Sequence, residues 1–543
     1  MSGPEPRPGS VIGSGAGSGT AEAGPRTSRW MSRSSWLALA TLAAIVLGAI
    51  LLRFAGLDTQ PGGLYGDEAA EGFDAMKMLH QPGYLPDWLV WFQNDGGREA
   101  LFAYVVAGVF HFFGGTILVL RATAAAFGVA GVLAIIWLGR HWGTWTGLVA
   151  GAWAAGSLWL VCVSRDGMRN TIVPFFGAVA LLALITWASR PGRLTALMSG
   201  GVTSLAALYT YQPLKLLVVL VAVWLIWLRR VDRERYDELR RDLFPFALAF
   251  LVVGAPMLIV AVTEATSFFG RATLVSTFNP AVQADSSFPI HVLRTLGMFG
   301  LIGDQNGRHD VAALPLLPLP LAGLAALGVW RLWRARREAV DSLILLSLPV
   351  FLLAPLLATE GYSPHFLRAL ALAAPLGVVI GLGTVDLVEW SGRRWGVRAA
   401  GVAGGLVAAS LCLVAIWSGW AYLTRSLSDR YVTFTMDLVA AADIAHDTPG
   451  SAVIAYEFAS FDIQFIDFDR MPAMIEPGKE IPNPYVYSQI IALRRGDLVT
   501  AVGPGLGDLA RPVAWDPAGQ ATVWMVTIPA ASATAETPGP PAR

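Results

Sequence analysis

Two adjacent carboxylates, Asp67 and Glu68, follow Gly66 and open a segment that carries Ala69, Phe73, Met76 and Leu79 on one face. A carboxylate there caps the helix and complements its dipole, or it points into a cavity and acts as a general base. Asp67 is the candidate base, and Glu68 a second carboxylate that orients a substrate or shares the role. Arg165 and Arg169 stand i, i+4 in Ser164-Arg165-Asp166-Gly167-Met168-Arg169-Asn170. On a helix they would share a face, and two guanidiniums on one face suit a phosphate oxyanion. Lys215 in Tyr209-Thr210-Tyr211-Gln212-Pro213-Leu214-Lys215 and Arg368, close to His365, are further cations of that kind. Arg98 and Glu99 follow two glycines, which let backbone approach a ligand. Asp304, Arg308, His309 and Asp310 crowd one polar segment, where a metal would ask for His and carboxylates at defined geometry.

The elements that must position these residues follow from composition. The chain has 543 residues, 55% hydrophobic and only 14% charged, with mean hydropathy +0.54. A soluble globular chain carries about 25% charge. A soluble enzyme, a secreted disulfide scaffold and a nucleic-acid binder are therefore disfavoured. Cys162 and Cys412 both sit in apolar runs far apart, so no disulfide framework is implied. Apolar runs of bilayer-spanning length predict about eleven transmembrane helices, at 36–52, 122–138, 146–163, 171–188, 194–210, 214–228, 243–262, 314–330, 342–357, 369–385 and 399–423. The segment 100–113 is short and contains His111. It is expected to lie at the membrane surface, with Trp88, Trp91 and Phe92 as interfacial anchors before it.

With 100–113 left out of the count, every basic cluster falls on the side of the N-terminus: Arg140-His141, Arg190 and Arg193, Arg229 to Arg241, Arg331 to Arg337, and Arg393 to Arg398. The positive-inside rule makes that side cytoplasmic. The polar motifs named above then all lie outside. Apart from Lys215 near the outer end of the sixth, the eleven stretches contain no Asp, Glu, Lys or Arg. An ion-coupled transporter usually places ionisable groups near the midplane. Polar chemistry gathered at one mouth favours an enzyme working at the outer membrane face; the alternative is a lipid or polysaccharide transporter without transferase activity.

Residues 1–34, rich in Gly, Ser, Pro and Ala, are expected to be a disordered cytoplasmic tail, and 35–425 the transmembrane domain. Residues 426–529 are expected to form a small extracytoplasmic α/β domain, and 530–543 a disordered tail. In that domain 434–446 is expected to be helical, and 452–456, 498–502 and 523–528 to be strands.

Taken in order, GDEA at 66–69, two surface helices, LGRHWG at 138–143, SRDGMRN, YTYQPLK, GDQNGRHD at 303–310 and HFLRAL at 365–370 resemble the GT-C class of membrane glycosyltransferases. The likeness is to the branch of the protein O-mannosyltransferases and the lipid A aminoarabinose transferase. It implies a polytopic, mainly α, bacterial inner-membrane enzyme of the cell envelope, acting on the extracytoplasmic side. Such an enzyme takes a polyprenyl-phosphate-linked sugar and passes it, with inversion, to a hydroxyl of a lipid, glycan or protein. By that resemblance Asp67 is the base, with Glu68 beside it. Arg165, Arg169, Lys215 and Arg368 hold the departing lipid phosphate. Arg98, Glu99, Tyr209, Tyr211, Asp304, Arg308, His309 and His365 contact substrate. A divalent metal is compatible with the resemblance, since relatives differ in this respect. Lys215 stands where many relatives have Arg, which keeps the charge and loses a bidentate fork.

Overall fold

The computed structural model describes residues 33–93, 97–279, 287–311, 313–359, 362–424, 431, 433–456 and 460–529. The two expected tails, but for residues 33 and 34, lie outside the described residues, as does Gly96, one of the two glycines before Arg98. Helix α1 (Arg33–Phe54) already includes the last two residues assigned to the N-terminal tail.

Each of the eleven expected stretches contains a helix, although 314–318 of the eighth is not helical. They fall in α1, α4 (Ile117–Gly139), α5 (Thr144–Gly156) with α6 (Leu158–Val163), α7 (Val173–Ser189), α8 (Arg193–Tyr209), α9 (Leu216–Val231), α11 (Leu243–Thr263), α14 (Leu319–Arg334), α15 (Ala339–Leu357), α16 (Ala373–Trp395) and α17 (Val397–Thr424). Among the described residues, seven helices are long and apolar enough to cross a membrane: those containing α1, α4, α7, α11, α15, α16 and α17. The chain is a multi-pass membrane protein. Its bundle core is filled by Trp153, Trp187, Trp224 and Phe351, with Trp187 stacked on Phe246 at 4.9 Å. Leu47 and Leu51 of α1 and Leu406, Leu413 and Ile416 of α17 are exposed, as lipid-facing residues must be.

Two short helices cover one end of the bundle. α2 (Gly66–His80) and α3 (Leu101–Phe113) pack through Phe73, Met76, Phe102, Val106 and Phe110. Between them β1 (Trp91–Phe92) and β2 (Arg98–Glu99) pair antiparallel, with Trp91 opposite Glu99 and Phe92 opposite Arg98. At 13 residues α3 is too short to span a bilayer. Trp91 and Phe92 are not surface anchors: both are buried, and Trp91 Nε1 donates to Ser267 Oγ at 3.1 Å. The paired strands turn them inward, and only Trp88 is left exposed.

The remaining helices of the bundle are α10 (Arg233–Arg241), α12 (Ala265–Leu274) and α13 (Phe288–Gly297). The C-terminal region is α/β. Its helices are α18 (Met436–Asp447), α19 (Ser460–Ile466) and α20 (Arg495–Gly507). Its sheet runs β4 (Ala473–Ile475), β3 (Ser451–Ile454), β5 (Gln489–Ala492), β7 (Ala521–Thr527), β6 (Arg511–Trp515), parallel across the first three strands and antiparallel across the rest. The expected strand at 498–502 is instead part of α20. Leu498 and Ala501, three apart, are the buried pair that packs on the sheet, a helical rather than an alternating spacing.

Candidate active site

The first turn of α2 is set by contacts distant in sequence. Tyr65 occupies the N-cap with extended φ/ψ, so Asp67 is the second helical residue and does not cap. Glu68, at the third position, reaches back to the Tyr65 N–H at 3.4 Å. Asp67 is buried to 7% exposure in the favourable field of the helix N-terminus. Glu68 is fully buried and committed. Arg121 Nε and Nη2 donate to its two oxygens at 2.7 and 2.9 Å, and the Gly167 N–H donates at 2.9 Å. Such a two-point guanidinium–carboxylate contact fixes orientation as well as charge.

From α2 a chain of alternating charges runs outward. Asp74 pairs with Arg98. Arg98 Nη1 lies 3.3 Å from Glu71, and Arg169 Nη1 donates to the same Glu71 oxygen at 2.9 Å. Arg169 Nε lies 3.5 Å from Glu99, whose other oxygen is 3.3 Å from Lys215 Nζ. Every member is buried except Lys215, at 24% exposure. Burial pushes the Glu71 carboxyl upward, against the pull of Arg98 and Arg169. Arg98 and Glu99, adjacent in sequence, therefore face different partners. β2 alternation turns Arg98 towards α2 and Glu99 towards Lys215.

The expectation that Arg165 and Arg169 share a helix face is corrected. The chain turns at 164–168, and Arg169 opens a short 3₁₀ segment, so the i, i+4 spacing carries no common face. Arg165 Nη1 donates to Leu52 O at 3.0 Å, and Nη2 to Ala55 O and Gln60 O at 2.9 and 3.2 Å. These bonds satisfy carbonyls left open where α1 ends. Arg53, which the sequence reading passed over, does the same for Ala154 and Ala155, each at 3.1 Å. Tyr209 is likewise a packing residue, its hydroxyl donating to Val253 O of α11.

Tyr211 gathers cations. Its ring centroid is 5.8 Å from the guanidinium carbons of both Arg169 and Arg368, and Arg368 Nη1 lies 3.0 Å from its hydroxyl. Arg308 lies 3.7 Å over the Tyr65 ring, at the start of α2. Asp304, His309 and His365 form a buried group beside it. His309 Nδ1 lies 3.0 Å from Asp304, and the Phe366 N–H donates to the same carboxylate at 2.7 Å. His365 is held between the rings of His309 and Tyr362 at 5.0 and 5.1 Å. Burial, with Arg308 beside it, pushes the His309 imidazole down to about 4. The Asp304 carboxyl, which burial alone would raise, is held below its ordinary range by the His309 hydrogen bond.

The donor atoms of Asp304, His309 and His365 lie within 4.8 Å of one another, a set of the kind zinc accepts. Arg308 Nη2 stands 3.1 Å from His309 Nε2, a fixed positive charge beside the group.

Sequence reasoning missed Arg121, Glu71 and Asp74 as well as Arg53. Arg121 did carry a signal, as a cation on the outer side of an apolar stretch, where basic residues are depleted.

No protein-family model matches this sequence, and no curated protein matches it. Solved structures do. ArnT from Cupriavidus metallidurans bound to undecaprenyl phosphate is similar over 93% of this chain and 100% of its own, with a TM-score of 0.55 at 14% identity. The same protein in the apo state matches over 92% and 100%, also with TM-score 0.55 and 14% identity. The Archaeoglobus fulgidus oligosaccharyltransferase, in complex with Zn and sulfate, matches over 88% of this chain and 72% of its own, with TM-score 0.51 and 13% identity. At these identities the likeness is one of fold: the chain shares the overall architecture of these solved membrane proteins, with a small C-terminal sheet region.

Proposed function

We propose that this chain is a glycosyltransferase that moves a sugar from a polyprenyl-phosphate-linked donor to an acceptor hydroxyl at the extracytoplasmic face of the inner membrane. The observation that carries the reading is one continuous arrangement. Asp67 sits in the first turn of α2, and that helix is ion-paired through Glu71 to Arg169, which meets Lys215 through Glu99 and stands with Arg368 around the Tyr211 ring. A carboxylate that takes a proton and a group of cations that receives a phosphate are the two halves of such a transfer.

In this mechanism Asp67 removes the acceptor hydroxyl proton as its oxygen attacks the anomeric carbon. The C–O bond to the lipid phosphate breaks on the opposite face, so configuration inverts. Arg368, Arg169 and Lys215 stabilise the charge that develops on the departing phosphate. Tyr211 and Arg308 are placed to contact substrate. Glu68, held by Arg121, orients α2 rather than accepting a proton. Arg98 and Glu99 frame the site, and Arg165 ties down α1. An apolar cavity of about 340 Å³, lined by Trp153, Trp159, Phe366 and Trp417 with Asp310 in its wall, gives room for part of a lipid chain. The basic clusters support a cytoplasmic N-terminus and a C-terminal domain outside. The proposed domain limits remain 35–425 and 426–529.

The test uses the purified chain in lipid nanodiscs, incubated with radiolabelled polyprenyl-phosphate hexose or pentose and a bacterial membrane extract. Time-dependent transfer of label to an extract component supports the reading, and the donor that works decides between hexosyl and pentosyl transfer. Movement of the intact labelled lipid in reconstituted vesicles, without transfer, supports transport instead.

A further inference from the structure

The C-terminal region reaches into the outer-loop layer on both sides of Asp67. Before α2, an added Cβ on Gly63 would stand 1.9 Å from Phe434 O and 2.8 Å from the Met436 side chain, so only glycine allows this approach. Within α2, an added Cβ on Gly72 would stand 2.6 Å from the ring of Phe465, a residue of α19. Phe465 is also stacked on Phe110 of α3 at 5.9 Å, while Phe461 and Phe468 lie 6.1 and 6.0 Å from Phe73. Between these contacts is a polar one. Thr435, at φ 41°, hydrogen-bonds Leu64 O and lies 3.2 Å from Asp462 Oδ2. Asp462 is buried to 1% exposure.

We infer that the C-terminal domain is a working part of the proposed site: Phe465 and the Thr435–Asp462 pair are positioning residues that hold the first turn of α2, and with it Asp67, in place. The inference deepens the proposed function and rests on Asp67 being its base. A free-standing domain would have no reason to fill the Gly72 notch of a membrane-domain helix with an aromatic ring.

The docking is sensitive to charge. Burial, with the negative charges of Glu68 and Asp437 facing it, pushes the Asp462 carboxyl up to about 8, against the Thr435 hydrogen bond. Those facing charges are themselves engaged, Glu68 with Arg121 and Asp437 with the Leu438 N–H. A carboxyl whose pKa is raised in the docked state favours docking fully below its free value. That contribution is lost as pH climbs from about 4 to about 8, and is constant above.

The test is hydrogen–deuterium exchange on the full purified chain in detergent, corrected for intrinsic exchange rates. It compares wild type with Phe465→Ala, Phe465→Leu and Asp462→Asn. The expected result is that amides 62–76 exchange at least tenfold faster in Phe465→Ala than in wild type, with α7 unchanged, and that Phe465→Leu recovers most of the protection. Wild-type exchange at 62–76 is expected to rise between pH 6 and 8 and then level, while Asp462→Asn stays flat. Wild-type protection of 62–76 in Phe465→Ala, or one pH profile for wild type and Asp462→Asn, overturns the inference. Neither result depends on transfer. If α2 loosens as expected yet Asp67→Asn still transfers sugar, the reading of Asp67 fails and the docking stands.

Discussion

Glu68 and Arg121, 53 residues apart, form a buried two-point ion pair that joins the first turn of α2 to the N-terminal end of α4. Through the Gly167 amide the same carboxylate holds the 164–170 segment as well. The residue next to the proposed base is thus a tie between three parts of the chain. Replacing Glu68 by Gln leaves Arg121 buried without its counter-charge. A loss of about 3–5 kcal/mol is expected, read as a large drop in thermal midpoint in detergent. The double change Glu68→Gln with Arg121→Met is expected to recover much of it, and the double-mutant cycle measures the coupling.

Cations that share a chemical type are expected to divide by role. Arg165→Ala removes three bonds to carbonyls near the end of α1, so stability falls by about 2–4 kcal/mol while donor affinity per folded molecule is unchanged. Lys215→Ala and Arg368→Ala leave Glu99 and the Tyr211 hydroxyl short of a partner, so some loss of thermal midpoint is expected, and in the folded fraction the KM for labelled donor is expected to rise at least tenfold. Equal donor affinity in all three variants and wild type would remove Lys215 and Arg368 from the phosphate site.

The helices were legible because a bilayer demands long apolar runs, and composition alone locates them. That α3 is short for a span was legible from the short apolar run at 100–113. The candidate residues were legible by type, but their partners were not. Arg165 and Arg169 look alike in sequence, yet one meets α1 carbonyls and the other Glu71. That difference is set by helix packing, which no local spacing encodes. In α20, Leu498 to Val502 mimics a strand because it is short, apolar and partly β-branched; only its docking on the sheet separates the readings.

Acid sensitivity is expected from His309. Its pKa is lowered from 6.5 to about 4 in the folded chain, so unfolding binds a proton in that window. Stability contributed by the neutral imidazole is present above about 6.5 and is lost as pH falls towards 4, on the order of 3 kcal/mol. Thermal midpoints of wild type and His309→Gln measured from pH 7.5 to 4.5 are expected to converge as pH falls. Parallel curves would show that His309 does not titrate in this way.

Sidedness is tested by single cysteines at Gly505 and Arg235, in a background with Cys162 and Cys412 replaced. An impermeant thiol reagent added to spheroplasts is expected to label the cysteine at position 505, in α20, and to spare the one at 235, in α10. Labelling at 235 alone would invert the arrangement and place the proposed site in the cytoplasm.

The role of Asp67 is tested most directly by Asp67→Asn, assayed with whichever polyprenyl-phosphate sugar the wild type transfers. Tyr65 holds the N-cap, so Asp67 does not cap α2, and loss of its charge costs the helix a dipole contribution of about 0.3–1 kcal/mol. An amide of the same size cannot take the hydroxyl proton. The thermal midpoint is therefore expected to stay near that of wild type while kcat falls about 10²–10⁴-fold. Normal expression with an undiminished transfer rate would contradict the assignment of Asp67 as the base.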